Sequence, residues 1–164
     1  MFSIFYPHLY EASIFNIPYN KLKTEGILFL LFDLDNTIVQ VNTYIPATEL
    51  IYFFLKLKDM GFKVCILSNG KADRVKVFAE AFDAPFVAKA RKPLLCGINK
   101  AFEILSADAE SAAIIGDQIF TDILCGKRKK IYTILIKPIS ETEEWFIKPK
   151  RFFERFILDK FLKG

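Results

Sequence analysis

The run of six apolar residues from Ile27 to Phe32, followed at once by Asp33-Leu34-Asp35-Asn36-Thr37, constrains the fold of this chain most strongly. An unbroken apolar run of this length, bounded by polar turn residues, is typical of a strand buried on both faces of a sheet. Because strand side chains alternate between faces, Asp33 and Asp35 should point the same way at the strand's end. Open α/β folds bind ligands at that edge. A strand that simply ends in an Asp- and Asn-rich turn remains an alternative.

The rest of the chain alternates predicted strands with predicted helices. Helical spacing of apolar residues predicts helices over 47–60, 72–82, 94–105 and 119–125, and a final amphipathic helix over 152–162. Short apolar runs predict strands over 27–34, 63–67, 85–88, 112–115 and 132–136. A short helix over 6–15 and a turn over 19–24 are predicted to precede them. The alternation predicts an α/β fold, a Rossmann-like three-layer sandwich with a five-stranded parallel sheet.

Length and composition favour one domain. The 164 residues can bury a single core, so we expect one domain over 1–164, with an N-terminal helical extension over 1–25 and a basic C-terminal helix over 149–164. Although 52% of the residues are hydrophobic, no stretch approaches the roughly 18 apolar residues of a membrane-spanning helix. The N-terminus lacks signal-peptide features, and three irregularly spaced cysteines indicate a reducing compartment. We therefore expect a cytoplasmic protein.

The positive charge is concentrated at the C-terminal end, where residues 148–164 carry six basic and two acidic side chains and account for the net charge of +4. In the helix predicted there, a broad face holds Phe152, Phe153, Phe156, Ile157 and Phe161, and outside it lie Arg151, Glu154, Arg155 and Asp159. This pattern fits a helix packed on the core and equally one lying on an anionic membrane at its inner face. As a hypothesis, the segment 137–148, with Trp145 and Phe146, and the basic helix dock the protein onto anionic lipid.

Other basic residues are expected to be ordinary surface residues. The run Lys127-Arg128-Lys129-Lys130 follows a helix that leads away from the crevice, so it should lie at the opposite edge of the sheet. Lys89 and Arg91 are close to the predicted crevice, but the surface interpretation is preferred for them as well.

Polar side chains follow four of the predicted strands. They are Asp33, Asp35, Asn36 and Thr37, then Ser68 and Asn69, then Arg91, Lys92 and Pro93, and finally Asp117 and Asp122. Because the carboxyl ends of parallel strands meet at one edge, these residues should converge on one crevice. Carboxylates without cysteine or histidine ligands suit a hard cation, usually Mg²⁺, and His8 is the only histidine. A lysine and a serine hydroxyl beside them suit a phosphoryl group, so the crevice predicts phosphoryl transfer.

These residues resemble the four motifs of the haloacid-dehalogenase (HAD) superfamily of phosphatases, in order along nearly the whole chain. The motifs are Asp33-Leu34-Asp35-Asn36-Thr37, Ser68-Asn69, Lys92-Pro93, and Gly116-Asp117 with Thr121-Asp122. The resemblance implies that Asp33 is the nucleophile and Asp35 the general acid and base. It also implies a Mg²⁺ ion bound by the Asp33 side chain, the Asp35 carbonyl and Asp117, with Asp122 assisting.

The resemblance further implies that Ser68 and Lys92 hold the phosphoryl oxygens, helped by the backbone at Asn69. An acid at position 35 favours phosphate-ester hydrolysis, because dehalogenase-type members lack it and the ATPases carry lysine there. The gaps from Asp35 to Ser68 and from Ser68 to Lys92 are too short for a cap domain, so the site should be open.

More narrowly, the run from Gly116 to Leu135 and the basic, aromatic end resemble the YqeG-type, phosphatidylglycerophosphate phosphatase-like subfamily IIIA. That resemblance implies hydrolysis of phosphatidylglycerophosphate to phosphatidylglycerol. This sequence has Cys125-Gly126-Lys127 where that subfamily's pattern has a Gly-Gly-Asn turn. The departure affects the expectation for the following loop and not the expected chemistry.

Two alternatives stay open. The same chemistry could act on a soluble sugar or nucleotide phosphate or on a phosphoprotein. A non-catalytic protein could instead associate with nucleic acid through the basic C-terminal end, although an anionic phospholipid is the preferred partner.

Overall fold

Six parallel strands form the centre of the molecule, whose computed structural model describes residues 3–140 and 148–163. The strands are β1 (Leu9–Glu11), β2 (Phe29–Phe32), β3 (Lys63–Leu67), β4 (Phe86–Val87), β5 (Ala112–Gly116) and β6 (Tyr132–Ile136). They lie in the order β1-β6-β5-β2-β3-β4, and every neighbouring pair is parallel. The predicted α/β fold with a parallel sheet is therefore confirmed, whereas the predicted count of five strands is wrong.

The additional strand is β1, which lies inside the segment predicted as a short helix over 6–15. Residues 9–11 run beside residues 134–136 of β6 at the edge of the sheet. Just before β1, the backbone N–H of His8 donates to the carbonyl of Thr133 at 2.9 Å. A three-residue strand is too short to show strand alternation, so its sequence did not reveal it. Hydrogen bonding to the otherwise free edge of β6 favours the extended conformation.

Helices connect the strands. They are α1 (Tyr19–Thr24), α2 (Thr48–Asp59), α3 (Ala72–Ala81), α4 (Leu95–Leu105), α5 (Leu124–Lys129) and α6 (Lys148–Lys163), with 3-10 turns at Ser3–Phe5 and Ile14–Asn16. A π-helical turn at Ile119–Ile123 leads directly into α5. The helix predicted over 119–125 is thus longer than expected, and the C-terminal helix begins earlier than expected.

Strand β2 is covered by helices on both faces. On one face Leu30 and Phe32 pack in a cluster that includes Phe54 of α2 and helix α3. On the other face Leu31 packs in a cluster that includes Ile98 of α4. All four residues of β2 are buried, as its uninterrupted apolar sequence predicted. The residues that follow β2 therefore emerge at the centre of the carboxyl-terminal edge of the sheet.

Helix α6 packs through a face that includes an acid. Ile157 is buried in a small cluster with Ile119 and Ile123. Glu154, predicted to lie outside the packed face, is only 5% exposed, and its carboxylate accepts the N–H of Phe120 at 3.1 Å. That N–H lies in the first turn of the π-helical segment, where backbone N–H groups have no acceptor within the helix. The Glu154 carboxylate is buried there because it supplies the missing acceptor.

Two phenylalanines of the apolar face predicted for α6, a face that fitted packing either on the core or on a membrane, are exposed. Phe153 is 60% exposed and Phe156 is 53% exposed. The predicted roles of the Phe152 side chain, Trp145 and Phe146 lie outside the described residues. No helix in the described ranges is long and apolar enough to cross a membrane.

The basic run at residues 127–130 lies at the amino-terminal edge of the sheet. Most of it forms the last turn of α5, where cations complement the helix dipole. Nζ of Lys127 is 3.3 Å from Nε2 of His8, the residue that precedes β1. Burial, aided by the Lys127 charge, lowers the pKa of His8. This run is therefore remote from the edge at which β2 ends.

Candidate active site

A buried ammonium lies at the centre of the carboxyl-terminal edge of the sheet. Nζ of Lys92, which follows β4, donates to Oδ1 of Asp33 at 2.7 Å and to Oδ1 of Asp122 at 2.6 Å. The Lys92 side chain is only 2% exposed. Lys92 is therefore not a solvated surface lysine. Residues far apart in sequence meet here because β2, β4 and β5 are parallel and end at the same edge.

Three buried carboxylates surround this ammonium. One oxygen from each of Asp33, Asp117 and Asp122 lies within 4.8 Å of the others. Carboxylate oxygens alone, with no sulfur or imidazole among them, are the donor set that suits Mg²⁺, so the residues present fit that ion.

Asp122 differs from the other two acids because the protein itself engages both of its oxygens. Oδ1 accepts from Lys92, while Oδ2 accepts the N–H of Gln118 at 3.2 Å and the Thr121 hydroxyl at 3.3 Å. Its carboxyl group also packs against Gly116, where an added Cβ would lie 2.2 Å from Cγ of Asp122. A residue with any side chain at position 116 would displace Asp122, so glycine is needed at the end of β5.

The electrostatic environment shifts the pKa of both partners of the central ion pair. Burial raises the pKa of Asp33 to about 7; Lys92 opposes this rise, and the charges of Asp122 and Asp35 add to it. Burial disfavours the ammonium of Lys92, but the carboxylates of Asp122 and Asp33 outweigh that effect and raise its pKa. Lys92 is therefore charged throughout the physiological range, whereas Asp33 changes its charge near neutral pH.

Asn69 and Ser68, which follow β3, shape the loop on the other side of Lys92. The Asn69 side chain holds the Lys92 backbone from both sides, since Oδ1 accepts its N–H at 2.8 Å and Nδ2 donates to its carbonyl at 3.2 Å. The Ser68 hydroxyl is buried and accepts the N–H of Gly70 at 3.0 Å. A Cβ added to Gly70 would lie 3.1 Å from Oγ of Ser68 and 3.4 Å from Oδ2 of Asp35, so these two side chains are close together.

Asp35 forms an ion pair that its motif did not indicate. Nη1 of Arg74, in the first turn of α3, donates to Oδ1 of Asp35 at 2.5 Å. The same guanidinium donates to the carbonyls of Thr43 at 2.9 Å and Gln40 at 3.1 Å, and it lies 5.8 Å from the ring centre of Tyr44. Arg74 thus joins α3 to the loop after β2 and fixes the position of the Asp35 carboxylate.

Sequence reasoning missed Arg74, although a signal for it exists. Cations are disfavoured at a helix N-terminus because the helix dipole is positive there. An arginine in the first turn of α3 therefore needs a local partner, and the acid after β2 is available at the same edge of the sheet. Every predicted site residue otherwise lies at this edge, with Asp33, Asp117, Asp122 and Lys92 in direct proximity and Ser68, Asn69 and Asp35 beside them.

Known proteins resemble this chain both in fold and in sequence. A family model for HAD-hydrolase-like proteins matches residues 89–160. The cobalt-bound deoxy-D-mannose-octulosonate 8-phosphate phosphatase YrbI of Haemophilus influenzae superposes with a TM-score of 0.56 at 15% identity, covering 84% of this chain and 90% of that one. The fold is thus one that this phosphatase shares.

Sequence relatives define the family more closely. The Bacillus subtilis protein named "Probable phosphatase YqeG" is 37% identical over 154 residues, which cover 94% of this chain and 90% of that protein. The Arabidopsis thaliana phosphatidylglycerophosphate phosphatase 1 is 26% identical over 170 residues, which cover 96% of this chain and 48% of that protein. The chain therefore belongs to the YqeG-type family of HAD phosphatases.

Proposed function

We propose that this protein is a Mg²⁺-dependent phosphomonoesterase that works through an aspartyl-phosphate on Asp33 and hydrolyses phosphatidylglycerophosphate. The observation that carries the chemical part is the buried ammonium of Lys92, which lies between the carboxylates of Asp33 and Asp122. A fixed positive charge in a dry site is well suited to stabilise a phosphoryl group that is transferred to a neighbouring carboxylate.

The first half of the reaction transfers the phosphoryl group to the protein. A carboxylate oxygen of Asp33 attacks phosphorus, and the bond from phosphorus to the ester oxygen breaks. Asp35 donates a proton to that oxygen, so the product leaves as a neutral alcohol. In the second half, water attacks the phosphorus of the aspartyl-phosphate while Asp35 accepts a proton from the water. Inorganic phosphate leaves, and both aspartates return to their initial states.

Other residues of the crevice hold the groups in position. Lys92 and the Ser68 hydroxyl would bind phosphoryl oxygens, and the backbone at Asn69 would assist. The ligands of the metal would be Asp33, Asp117 and the Asp35 carbonyl, with Asp122 assisting. Bound there, Mg²⁺ supplies positive charge that offsets the negative charge of the phosphoryl oxygens. Because both oxygens of Asp122 already accept protein donors, its main contribution would be to position Lys92.

Two observations favour a lipid substrate. The Arabidopsis relative is named for phosphatidylglycerophosphate, although this chain corresponds to only 48% of that protein. In addition, the chain between Asp35 and Ser68 holds one loop, α2 and β3, and that between Ser68 and Lys92 holds α3 and β4. These short connections leave the crevice accessible to a substrate presented at a surface.

Phosphate release from purified protein tests both parts of the proposal. With Mg²⁺, the wild type should hydrolyse p-nitrophenyl phosphate and short-chain phosphatidylglycerophosphate, and chelation by EDTA should abolish both activities. Asp33→Asn should be inactive, while Asp59→Asn, at an exposed acid at the far end of α2, should match the wild type. Turnover by Asp33→Asn would refute the nucleophile.

The substrate is tested separately by comparing kcat/KM among phosphomonoesters. The kcat/KM for phosphatidylglycerophosphate should be at least about tenfold higher than that for glycerol phosphate, a sugar phosphate, a nucleoside monophosphate or a phosphopeptide. The reason is that binding energy from the remote diester should lower the activation barrier. A soluble ester hydrolysed with equal or higher kcat/KM would overturn the lipid assignment and leave the chemistry at Asp33 intact.

A further inference from the structure

Exposed apolar side chains surround the candidate active site at the carboxyl-terminal edge of the sheet. The crevice rim is defined here as Val41, Tyr44, Ile45, Leu94 and Ile139, which are 48%, 67%, 80%, 51% and 45% exposed. They come from the segments that follow β2, β4 and β6. Since all strands are parallel, these segments emerge at the same edge as Asp33 and Lys92.

Hydrogen bonds to backbone carbonyls connect two segments of the rim to the site. Arg74, which pairs with Asp35, also donates to the carbonyl of Thr43, immediately before Tyr44 and Ile45. On the other side, the N–H of Ile139 donates to the carbonyl of Asn36 at 3.0 Å. The exposed apolar groups are therefore held beside the catalytic loop by a fixed backbone.

Among the described residues of the segments that form this rim, exposed cations outnumber exposed acids. Lys71, Lys89, Arg91 and Lys137 are exposed in the segments after β3, β4 and β6, while Glu49 and Asp73 are the exposed acids in the first turns of α2 and α3. The backbone N–H of Lys89 donates to the carbonyl of Gly70 at 3.1 Å, which joins the segment after β4 to the loop after β3. Apolar groups together with a cationic excess match an anionic lipid surface, where apolar side chains enter the interface and cations meet the headgroups.

We propose that the crevice rim docks onto an anionic lipid bilayer, so that the open crevice faces the headgroup layer. This inference rests on the proposed function, because a phosphatase for phosphatidylglycerophosphate must reach a phosphate at the membrane surface. It assigns the docking contact to the loops around the site, a surface different from the basic run at residues 127–130, which lies at the opposite edge of the sheet.

A pair of matched double variants tests the proposal in the full chain. Val41→Ser with Ile45→Ser removes two exposed apolar side chains of the rim. Val77→Ser with Ile104→Ser removes the same two residue types, both 45% exposed, from α3 and from the last turn of α4. Neither pair contains a residue assigned to the chemistry, and circular dichroism checks that both variants fold.

Binding is measured by flotation with vesicles of pure phosphatidylcholine and with vesicles containing phosphatidylglycerol. The wild type and the Val77/Ile104 variant should bind the anionic vesicles, whereas the Val41/Ile45 variant should bind at least about tenfold more weakly. Hydrolysis of vesicle-embedded phosphatidylglycerophosphate should fall in parallel, and all three proteins should hydrolyse p-nitrophenyl phosphate at the same rate.

Each other outcome is informative. Equal vesicle binding by both double variants would overturn the docking assignment, as would equal wild-type binding to neutral and anionic vesicles. A wild type that hydrolyses p-nitrophenyl phosphate without binding vesicles would also overturn it, but would leave the phosphatase chemistry standing. Rim-dependent vesicle binding without hydrolysis of phosphatidylglycerophosphate would support docking and overturn the proposed substrate.

Discussion

Replacing Asp33, the proposed nucleophile, with asparagine should change how the stability of the metal-free protein depends on pH. Burial raises the pKa of Asp33 from 3.8 to about 7 in the folded protein. Between these values the folded state keeps a proton that the unfolded state has already released. The free energy of unfolding therefore falls as pH rises, until Asp33 is ionised in both states above pH 7.

The size of this effect follows from the same two pKa values. Each pH unit between them lowers the free energy of unfolding by up to about 1.4 kcal/mol. From pH 5 to pH 8, a range that includes the folded-state pKa, the wild type should lose about 2–3 kcal/mol through Asp33 alone. Asparagine has no proton to release. The stability of Asp33→Asn relative to wild type should therefore rise by about 2–3 kcal/mol over this range.

Urea unfolding in EDTA at pH 5 and pH 8 measures the difference. His8 titrates in both proteins, and Lys92, whose pKa is raised, stays charged at both pH values, so the comparison isolates Asp33. Asp108→Asn serves as the control, because its exposed carboxyl has a lowered pKa and is ionised throughout. If the wild type and Asp33→Asn lose stability in parallel between the two pH values, the reasoning about a buried, proton-binding Asp33 is refuted.

Three further substitutions test the packing and the ion pairs around the crevice. Gly116→Ala would place a methyl group 2.2 Å from Cγ of Asp122, so it should lower the free energy of unfolding by about 1–3 kcal/mol and abolish p-nitrophenyl phosphate turnover. Glu154→Ala leaves the Phe120 N–H without its carboxylate acceptor and should lower the free energy of unfolding, measured in urea, by about 1–3 kcal/mol. Glu154→Gln, whose amide oxygen can still accept this N–H, should recover most of that loss. Arg74→Lys cannot reproduce three guanidinium contacts at once, so kcat should fall about tenfold; unchanged kcat would argue against its positioning role.

The centre of the sheet and the chemistry-bearing loops were predictable because their signals are local. The apolar run at 27–32 predicts a strand buried on both faces, as residues 29–32 of β2 are. A parallel sheet then brings the carboxyl end of this strand to the same edge as the ends of β3, β4 and β5. This logic predicts that Asp33 and Lys92, a pair separated widely in sequence, meet at one crevice. Burial of Lys92 to 2% exposure was not deducible from its own neighbours in the chain, and it results from the convergence of the loops.

What the sequence did not reveal depends on contacts between distant segments. The three residues of β1 become a strand only because β6 offers free hydrogen-bonding groups along its edge. Glu154 is a residue type that is usually exposed, yet it is buried because it accepts the hydrogen bond of the Phe120 N–H in the π-helical turn. Hydrophobic periodicity takes no account of such polar partners. It also left open whether the apolar face with Phe153 and Phe156 packs on the core, and both side chains are exposed.

The charges around Lys92 explain why this site lowers the stability of the metal-free protein and favours metal binding. Three buried carboxylates face one buried ammonium, so the metal-free site carries more negative than positive charge when all of them are ionised. Burial opposes that charge, as the raised pKa of Asp33 shows. A divalent cation would offset the excess and displace the proton from Asp33, which leaves its oxygen free to act as a nucleophile. The same excess of negative charge that lowers stability without metal therefore favours the binding of a divalent cation at this cluster.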